Sequence, residues 1–577
     1  MFYLFTTSHR KETKDLTPLL LGNWCLKNSI NENENRIIGH RWVKFDKYKS
    51  DLIYLDNLHD KLLNILTIEF NKLNHVNYTF DNYRVLLSPW LKTLIMVLFE
   101  RFTSIEKSFN QYKIENCLLV DNKNTSLKTD DLEEFYDSIN NQNWNLGLYS
   151  SIIRFLFPNN NFDVISIKNK GGQKKTNKKI LKQEVKDYIF SLHNKLFGFL
   201  NKRNKFLFIN TYLSNTNYIK LSFKFKLFPV YFKFNKPLKE GLSIINSDLL
   251  NTFGASSPFE NYLKGHFDSF VPYCFLEGFN SNIKHLKSLN LPDNPKVIFT
   301  SSMMYNNTTL MFYLFDKLSR NSKLIVGQHG ANYWTFDKFF NETHELLISN
   351  AVISWGEFKN HEKIYPLGVL KKLSKINKKS HAKEIHLVMN SLPRFISNIS
   401  YPTHQVNFFK YLTKLYNFYN QVLKYEIFKD NLRVRLFPHD YGWNEKIIIE
   451  KKFKLRTINP IKNIYSSSRE ARIVVFTYNS TGILEFSAIN SPFLAFIDLE
   501  IEPLKKESIE AFEEYHNVGI IHYNLKSLST HLNSIYNDVD FWWGSNKVQD
   551  AITNFSYNFS KPNSKIVNQI SDLVKSL

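Results

Sequence analysis

A histidine between two glycines is the residue in this chain best placed to do chemistry. Leu324–Val326 lead into Gly327-Gln328-His329-Gly330, and such an apolar run predicts a buried parallel strand, whose carboxyl end is where open α/β sheets bind ligands. Glycine there lets the backbone approach a ligand and adopt dihedral angles that other residues resist. A neutral imidazole can act as a base near pH 7, and a charged one can hold phosphate. We predict a functional His329 fixed by Gln328; a structural histidine in a turn is the alternative.

A second histidine follows another predicted strand, Arg433–Phe437, in the sequence Pro438-His439-Asp440. Proline cannot continue the ladder of a central strand, so we expect the strand to end and His439 to project into a cleft. There it could hold a nucleotide phosphate, with Asp440 orienting its ring. A surface turn is the alternative.

Polar side chains also follow the strand Arg472–Phe476 and run into a predicted helix. Asn479, Ser480 and Thr481 stand at its start, and Glu485 lies about one turn inside it. Free backbone N–H groups and the helix dipole make such a start an anion site. We predict that this loop holds phosphate and that Glu485 reaches a sugar hydroxyl. Ordinary N-capping, completed by Glu485, is the alternative and is compatible with that role.

Four carboxylates are candidates for a general base: Glu277, Asp337, Glu342 and Glu345. Glu277 stands between apolar residues and beside a glycine, where partial desolvation would raise the pKa of its carboxyl group and suit it to accept a proton. For each of the four, a carboxylate on a helix surface is the alternative.

Several kinds of chemistry have no support in the sequence. No phosphate-binding GxxxxGK[ST] motif, GxGxxG fingerprint or GxSxG elbow occurs. No acidic pair stands in a strand–loop setting that would hold a metal–nucleotide. The three cysteines, Cys25, Cys117 and Cys274, have no ligand spacing. We therefore expect neither a metal nor a cofactor, and we expect a reducing compartment.

The formal net charge is +22, from 75 Lys and Arg against 53 Asp and Glu. Such a charge attracts anions, but nucleic-acid binders usually concentrate it on one face, and here it is scattered except in 168–182. We therefore expect no nucleic-acid partner, and attribute much of the excess to compositional drift. The stretch 168–182 predicts a basic loop, either simply solvated or in contact with an anionic lipid or glycan.

The strands and helices predicted to position these groups indicate an α/β protein, in a chain of 577 residues. Two doubly wound units alternate strand and helix from about residue 294, and helical segments at 47–71 and 84–101, the latter beginning near Pro89, elaborate the N-terminal half. We place the domain boundary after residue 370, giving domains 1–370 and 371–577. No signal peptide or apolar run of ~20 residues occurs, which predicts a cytoplasmic protein, with peripheral contact at the inner membrane possible.

Taken in order, several blocks of the chain resemble a bacterial family of surface-carbohydrate transferases. The family often has a second glycine after Gln-His-Gly, where this chain has Ala331. The blocks that carry the resemblance are Tyr3–Thr7, Leu20–Cys25, Tyr83–Leu91, Gly327–Gly330 through Ser354–Gly356, and Tyr478–Thr481 through Glu485.

The resemblance extends distantly to Kdo and nonulosonic-acid transferases and implies the GT-B architecture, two facing Rossmann-like domains with the active site between them. It implies a nucleotide-sugar donor, with a CMP-activated 2-keto sugar favoured, and a glycan, glycolipid or glycoprotein acceptor. By that resemblance His439, Ser480 and Thr481 contact the phosphate of the donor. Together with the residues considered above, we predict a donor site of Gln328, Gly330, His439, Asn479, Ser480, Thr481 and Glu485, with Glu277 as base and His329 as a positioning or leaving-group contact.

Three alternatives for the function stay open. A nucleotide-sugar epimerase would use the same scaffold without an acceptor. A polyol-phosphate transferase would move a different group from a nucleotide donor. A non-enzymatic protein would use the basic surface for binding alone.

Overall fold

A computed structural model describes residues 1–13, 15–26, 36–121, 126–166, 200–229, 248–302, 304–398 and 405–577. The basic loop predicted at 168–182 lies outside these residues. The described chain is built on three parallel sheets, which we call sheets 1, 2 and 3. The predicted α/β class with Rossmann-like, doubly wound sheets is confirmed.

Sheet 1 belongs to the N-terminal half, where the sequence indicated only a first strand and helical elaboration. Its strands are β1 (Phe2–Phe5), β2 (Thr17–Leu20), β3 (Arg36–Ile37), β4 (Ile114–Val120) and β5 (Asp163–Ile165). Their order is β3-β2-β1-β4-β5, with all neighbours parallel. Four of these strands have only two to four residues, too few for an alternating pattern to appear in the sequence.

Two long helices dominate this half; they are joined by a short turn and pack against each other. The predicted start of the second helix near Pro89 is wrong: the helix begins at Phe80, where Thr79 and Asn82 form a reciprocal capping box, and Pro89 lies inside it. The N-cap residue Thr79 lies ten residues before the proline, and its capping box explains the earlier start. The helices are α1 (Phe45–Asn74), α2 (Phe80–Gln111), α3 (Leu132–Ser138) and α4 (Gln142–Leu156).

Sheet 2 is the first of the two wound units predicted from the sequence. Its strands, in spatial order, are β6 (Phe206–Phe208), β7 (Val297–Thr300), β8 (Lys323–Gly327), β9 (Ala351–Ile353) and β10 (Ile364–Tyr365). Both faces are covered, so the strands read as continuous apolar runs. Its helices are α5 (Asn215–Lys224), α6 (Pro258–His266), α7 (Phe279–Leu286), α8 (Thr308–Leu318) and α9 (Phe340–Ile348).

Sheet 3 is the second wound unit. Its strands are β11 (Glu384–Val388), β12 (Leu432–Arg435), β13 (Arg456–Ile458), β14 (Ala471–Phe476), β15 (Phe493–Phe496) and β16 (Ile521–His522). The order β13-β12-β11-β14-β15-β16 is that of a dinucleotide-binding fold, which binds ligands where the strand order reverses. Here that point is the carboxyl end of β11 and β14.

The remaining helices pack around sheet 3, except the last, which returns to sheet 2. Ile566, Ile570 and Val574 of that last helix share a core with Phe299 and Ile325 of sheet 2. The helices are α10 (Phe408–Val422), α11 (Glu426–Asn431), α12 (Glu445–Ile447), α13 (Ile464–Ser467), α14 (Thr481–Ala488), α15 (Lys506–Asn517), α16 (Leu525–Ile535), α17 (Val539–Trp543), α18 (Asn546–Phe559) and α19 (Ile566–Ser576). The domain boundary at residue 370 stays a prediction; it falls between β10 and β11.

Candidate functional site

The two glycines in the turn after β8 are explained by close contacts with neighbouring residues and not by unusual dihedral angles. Neither Gly327 nor Gly330 has a positive φ, so the expectation that these glycines serve conformational freedom is wrong. A Cβ on Gly327 would lie 2.3 Å from Ser301 Oγ and 2.5 Å from Leu370 Cδ1. A Cβ on Gly330 would lie 3.1 Å from Thr481 Oγ1. Glycine is required because neighbouring strands and a loop of sheet 3 approach the backbone closely.

The Gln328 side chain fastens this turn to the next strand. Its Oε1 accepts from the backbone N–H of Trp355 at 2.8 Å, and its Nε2 donates to the Gly330 carbonyl at 2.9 Å. The Trp355 indole N–H donates to the Gln328 carbonyl at 2.8 Å. Gln328 is buried, so its amide holds the shape of the loop that presents His329.

His329 is the first member of a chain of hydrogen-bonded side chains. Its Nδ1 lies 2.9 Å from the Tyr333 hydroxyl. That hydroxyl lies 2.7 Å from Glu345 Oε1, and the Tyr305 hydroxyl lies 2.5 Å from the same oxygen. Glu345, at the middle of α9, has no exposed surface. The structure thus connects His329 to a carboxylate that the sequence offered only as one base candidate among four.

Burial shifts both ends of this chain toward their neutral forms. Desolvation lowers the pKa of His329 to about 4, against a smaller effect of the Ser301 carbonyl, which favours the charged ring. Desolvation raises the pKa of Glu345 to about 8, and the two tyrosine hydroxyls only partly oppose it. The second oxygen, Oε2, finds no hydrogen-bond partner among the described residues. A neutral imidazole and a protonated carboxyl group are therefore joined through the hydroxyl group of Tyr333.

Strained backbone surrounds the histidine. Tyr212, after β6, and Trp334, after the His329 turn, have φ of 63° and 66°, in the left-handed region that bulky residues rarely adopt. The Tyr212 ring lies 5.9 Å from the His329 ring, centre to centre. Such strain persists only where surrounding structure enforces it, and it clusters at functional sites.

The loop after β14 in sheet 3 lies against the His329 turn of sheet 2. The backbone N–H of Ala331 donates to Thr481 Oγ1 at 3.0 Å, and Asn479 Nδ2 donates to Asn332 Oδ1 at 3.1 Å. Behind this loop, the Asn479 backbone N–H donates to buried Glu502 at 2.7 Å. The carboxyl edges of sheets 2 and 3 therefore meet at two of the motifs singled out in the sequence.

The other two residues of that motif have partners within the protein. Ser480 is the N-cap of α14, its Oγ accepting from the Gly482 N–H at 3.1 Å, as the capping interpretation expected. Glu485 does not complete the cap: its carboxylate pairs with Lys371 and accepts from the Tyr465 hydroxyl at 2.8 Å. Both of its oxygens are thus engaged, and Lys371 is held at the start of the segment joining sheets 2 and 3.

His439 lines a cleft of about 600 Å³ at the carboxyl ends of β11, β12 and β13. Its ring is exposed and packs against Tyr441, 4.4 Å between ring centres. Asp440 does not orient that ring as expected, because its Oδ1 accepts from the Gly442 N–H at 2.7 Å. Strands β12 and β14 flank β11, so their ends are about 10 Å apart, twice the strand spacing. His439 and Thr481 thus lie along one edge of sheet 3.

The model of one protein family matches residues 1–573, and its description is LIC12162 family transferase. The chain belongs to this family of transferases. No curated protein matches the chain.

Similar solved structures cover much of the transferase at low identity. The wall teichoic acid polymerase TagF, an H444N variant soaked with CDPG, is 11% identical, with 69% of this chain and 96% of that chain covered and a TM-score of 0.33. MurG of Acinetobacter baumannii is 10% identical, with 65% and 100% covered and a TM-score of 0.30. A UDP-N-acetylglucosamine 2-epimerase is 10% identical, with 65% and 95% covered and a TM-score of 0.32.

Glu277 of the transferase lies just before α7 and is paired with a lysine. Its Oε1 lies 2.6 Å from Lys128 Nζ, while its side chain is 5% exposed. None of its described contacts reaches the His329 turn or the cleft beside His439. The structure therefore brings together His329, Glu345 and the Asn479–Thr481 loop, and joins Glu277 to a different part of the molecule.

Sequence reasoning missed the two tyrosines that donate to Glu345, of which Tyr333 also contacts His329. Tyr333 stands four residues after His329 in an irregular loop, and Tyr305 follows β7, on a separate loop. With 30 tyrosines in the chain, residue type alone could not select them. The one signal in the sequence that could have indicated Tyr333 was its position in the same strand-end loop as His329.

Sheet 1 is joined to a loop of sheet 3 that borders the cleft. Arg394, in the loop after β11, donates to the carbonyls of Trp24, at 3.0 Å, and Leu26, both just after β2. Its guanidinium lies over the Trp443 ring at 5.3 Å, and Trp443 adjoins the residues that line the cleft. The carboxyl edge of sheet 1 is thereby joined to the loop that begins at Ser391 in the cleft wall.

Within the described ranges, no group of three or more His, Cys, Asp and Glu side chains is arranged to hold a metal ion. None of the helices in those ranges combines the length and apolar character needed to cross a membrane.

Proposed function

We propose that this transferase is a GT-B glycosyltransferase that moves a sugar from a nucleotide-sugar donor to a surface-glycan, glycolipid or glycoprotein acceptor. The observation that carries the proposal is the contact between the His329 turn and the Thr481 loop. It puts the strand ends of two Rossmann-like units together, and ligands of such folds bind at strand ends.

The proposed donor site is the cleft at the carboxyl ends of β11–β13, beside the point where the strand order of sheet 3 reverses. His439 contacts the nucleotide phosphates, and the N-terminus of α14 at Ser480 and Thr481 adds its dipole. A CMP-activated 2-keto sugar is favoured by the resemblance described above. These groups would stabilise the departing nucleotide without a metal.

We assign proton removal to His329 rather than to Glu277. Glu277 is already paired with Lys128, and none of its described contacts reaches the His329 turn. His329, with its pKa lowered to about 4, is neutral at pH 7. The acceptor hydroxyl attacks the anomeric carbon, the bond from that carbon to the phosphate oxygen breaks, the nucleotide leaves with the electron pair, and His329 takes the hydroxyl proton.

We also assign roles to the two domains and to the other residues of the site. Domain 371–577 binds the donor and domain 1–370 the acceptor. The protein acts in the cytoplasm, with peripheral contact at the inner membrane where glycolipid acceptors lie. Gln328 and Gly330 act by shaping the His329 turn, and Glu485 acts by holding Lys371 near the site.

Calorimetric titration with CMP and UDP tests the donor site. His439→Ala and the double variant Ser480→Ala/Thr481→Ala should each weaken binding of the preferred nucleotide at least about tenfold. The first removes the proposed phosphate contact, and the second removes the N-cap and the hydroxyl groups that shape the proposed anion site at the start of α14. His381→Ala is the matched control, because His381 is exposed in the segment between β10 and β11, and it should bind as wild type does. Unchanged affinity in both site variants would defeat the donor-site assignment.

Product analysis separates the alternatives. A glycosyltransferase yields free nucleotide and a glycosylated acceptor, an epimerase yields an isomeric nucleotide sugar without an acceptor, and a polyol-phosphate transferase yields a phosphodiester. Binding of nucleic acid at ~0.15 M salt with a steep salt dependence, and no turnover, would favour the non-enzymatic protein.

A further inference from the structure

The hydrogen bonds between His329, Tyr333 and Glu345 limit where protons can be. A tyrosine hydroxyl carries one hydrogen, and Tyr333 contacts an acceptor on each side, His329 Nδ1 at 2.9 Å and Glu345 Oε1 at 2.7 Å. When Tyr333 donates to a charged Glu345, it can only accept from His329, so Nδ1 carries the ring proton and Nε2 is bare. When Glu345 is protonated and donates to Tyr333, the hydroxyl donates to Nδ1, and Nε2 carries the ring proton.

These two arrangements differ by one proton, which enters at Nε2 and ends on Glu345. We propose that Glu345 and Tyr333 are positioning residues that set the tautomer of His329 and store the proton it removes. This inference rests on the proposed function for the source of that proton, the acceptor hydroxyl. In the step, Nε2 gains the acceptor's proton, Nδ1–H passes its proton to Tyr333, and the Tyr333 hydroxyl passes its own to Glu345.

The surroundings of the chain favour the arrangement in which Nε2 carries the proton. The Ser301 carbonyl accepts from the His329 ring, which stabilises the N–H formed at Nε2, since Nδ1 faces Tyr333. Tyr305 donates to Glu345 Oε1 from the opposite side, and Asn341 reaches the Tyr333 hydroxyl. No residue described as contacting the relay is a cation.

The charged groups near Glu345 favour its protonated form. Glu342, one turn earlier on α9, raises the pKa of Glu345 slightly and is itself paired with Lys505 at 2.7 Å. His344 packs against the Tyr305 ring, 6.0 Å between centres, and burial lowers its pKa to about 3. With the pKa of Glu345 near 8, the protonated arrangement predominates at pH 7, and the ionised one above pH 8.

The test is nitrogen NMR of ¹⁵N-histidine-labelled full-length protein between pH 6 and 10, with the His329 signals assigned by their loss in His329→Gln. The ring proton should move from Nε2 to Nδ1 as the pH rises through about 8 in wild type. Glu345→Gln and Tyr333→Phe should each abolish the exchange. Tyr305→Phe is the matched control: it removes a hydroxyl from Glu345 but leaves the chain to His329, so the exchange should persist with a shifted midpoint.

Turnover provides the second readout. The rate constant kcat should rise about tenfold between pH 7 and pH 9 in wild type, following ionisation of Glu345, and should lose this rise in Glu345→Gln with KM little changed. A wild-type ring that keeps one tautomer from pH 6 to 10 overturns the relay without any variant, as does an exchange that survives in Glu345→Gln. An exchange without turnover of any nucleotide sugar would leave the relay standing and overturn the proposed function.

Discussion

Thr481, at the first turn of a helix on sheet 3, accepts a 3.0 Å hydrogen bond from the backbone N–H of Ala331 on sheet 2. The two residues are 150 positions apart. Because Ala331 is the second residue after His329, this one bond sets how the histidine turn sits against the proposed donor-binding loop.

Thr481→Val should loosen that contact. Valine has nearly the shape of threonine but leaves the Ala331 N–H without its acceptor, which should cost about 1 kcal/mol of unfolding free energy. Chemical denaturation measures the loss. Thr413→Val is the control, since Thr413 is exposed on α10 and bonds only its own helix, and it should change stability by less than about 0.5 kcal/mol. An equal effect in both variants would show that the contact is not maintained in solution.

Gly327→Ala should be much more damaging than another glycine substitution. The added Cβ would lie within 2.5 Å of Ser301 Oγ and Leu370 Cδ1, so these two buried side chains or strand β8 must shift, and stability should fall by roughly 1–3 kcal/mol. Gly265→Ala is the control, because its Cβ meets nothing within 4 Å and it lies in α6, where alanine is the better residue. Thermal denaturation compares the two; a tolerated Gly327→Ala would contradict the crowding.

Glu345 should make the folded state less stable as the pH rises. Its pKa is raised to about 8 in the folded protein from 4.5, so its contribution to stability is complete below about pH 4.5 and is lost as the pH rises through 8. Glu345→Gln removes this dependence. Between pH 6 and pH 9, wild type should therefore lose roughly 2–3 kcal/mol more unfolding free energy than the variant. Parallel losses in the two proteins would show that Glu345 is ionised throughout.

Substitution of the two proposed bases should have unequal effects on turnover. His329→Gln should lower kcat about 10²–10⁴-fold, as expected for loss of a general base. Glu277→Gln should change kcat less than about tenfold, because the carboxylate is paired with Lys128. Steady-state kinetics on the preferred donor decide between them, with circular dichroism to verify folding. The reverse ranking would return the role of base to Glu277.

The sequence was informative about sheets 2 and 3 because their strands are buried on both faces. Continuous apolar runs such as Leu324–Val326 and Ile473–Phe476 are visible without any partner, and the polar loops that follow them are visible as breaks. Helices α1 and α2 dominate the half of the chain that contains sheet 1, so apart from its first strand that sheet was not visible in the sequence. The start of α2 is not at Pro89, although proline is common in the first turn of a helix. The helix begins earlier, at the capping box of Thr79.

The sequence by itself determined the α/β class and the strand-end position of His329, His439 and the Asn479–Thr481 loop, since local apolar runs and their breaks encode both. Only the tertiary structure decided that Glu345 and Tyr333, not Glu277, stand behind His329, and that Glu485 is engaged by Lys371 and Tyr465. Those pairings join residues from separate loops and helices. They depend on how the elements pack against one another, and the spacing of residues along the chain does not predict that packing.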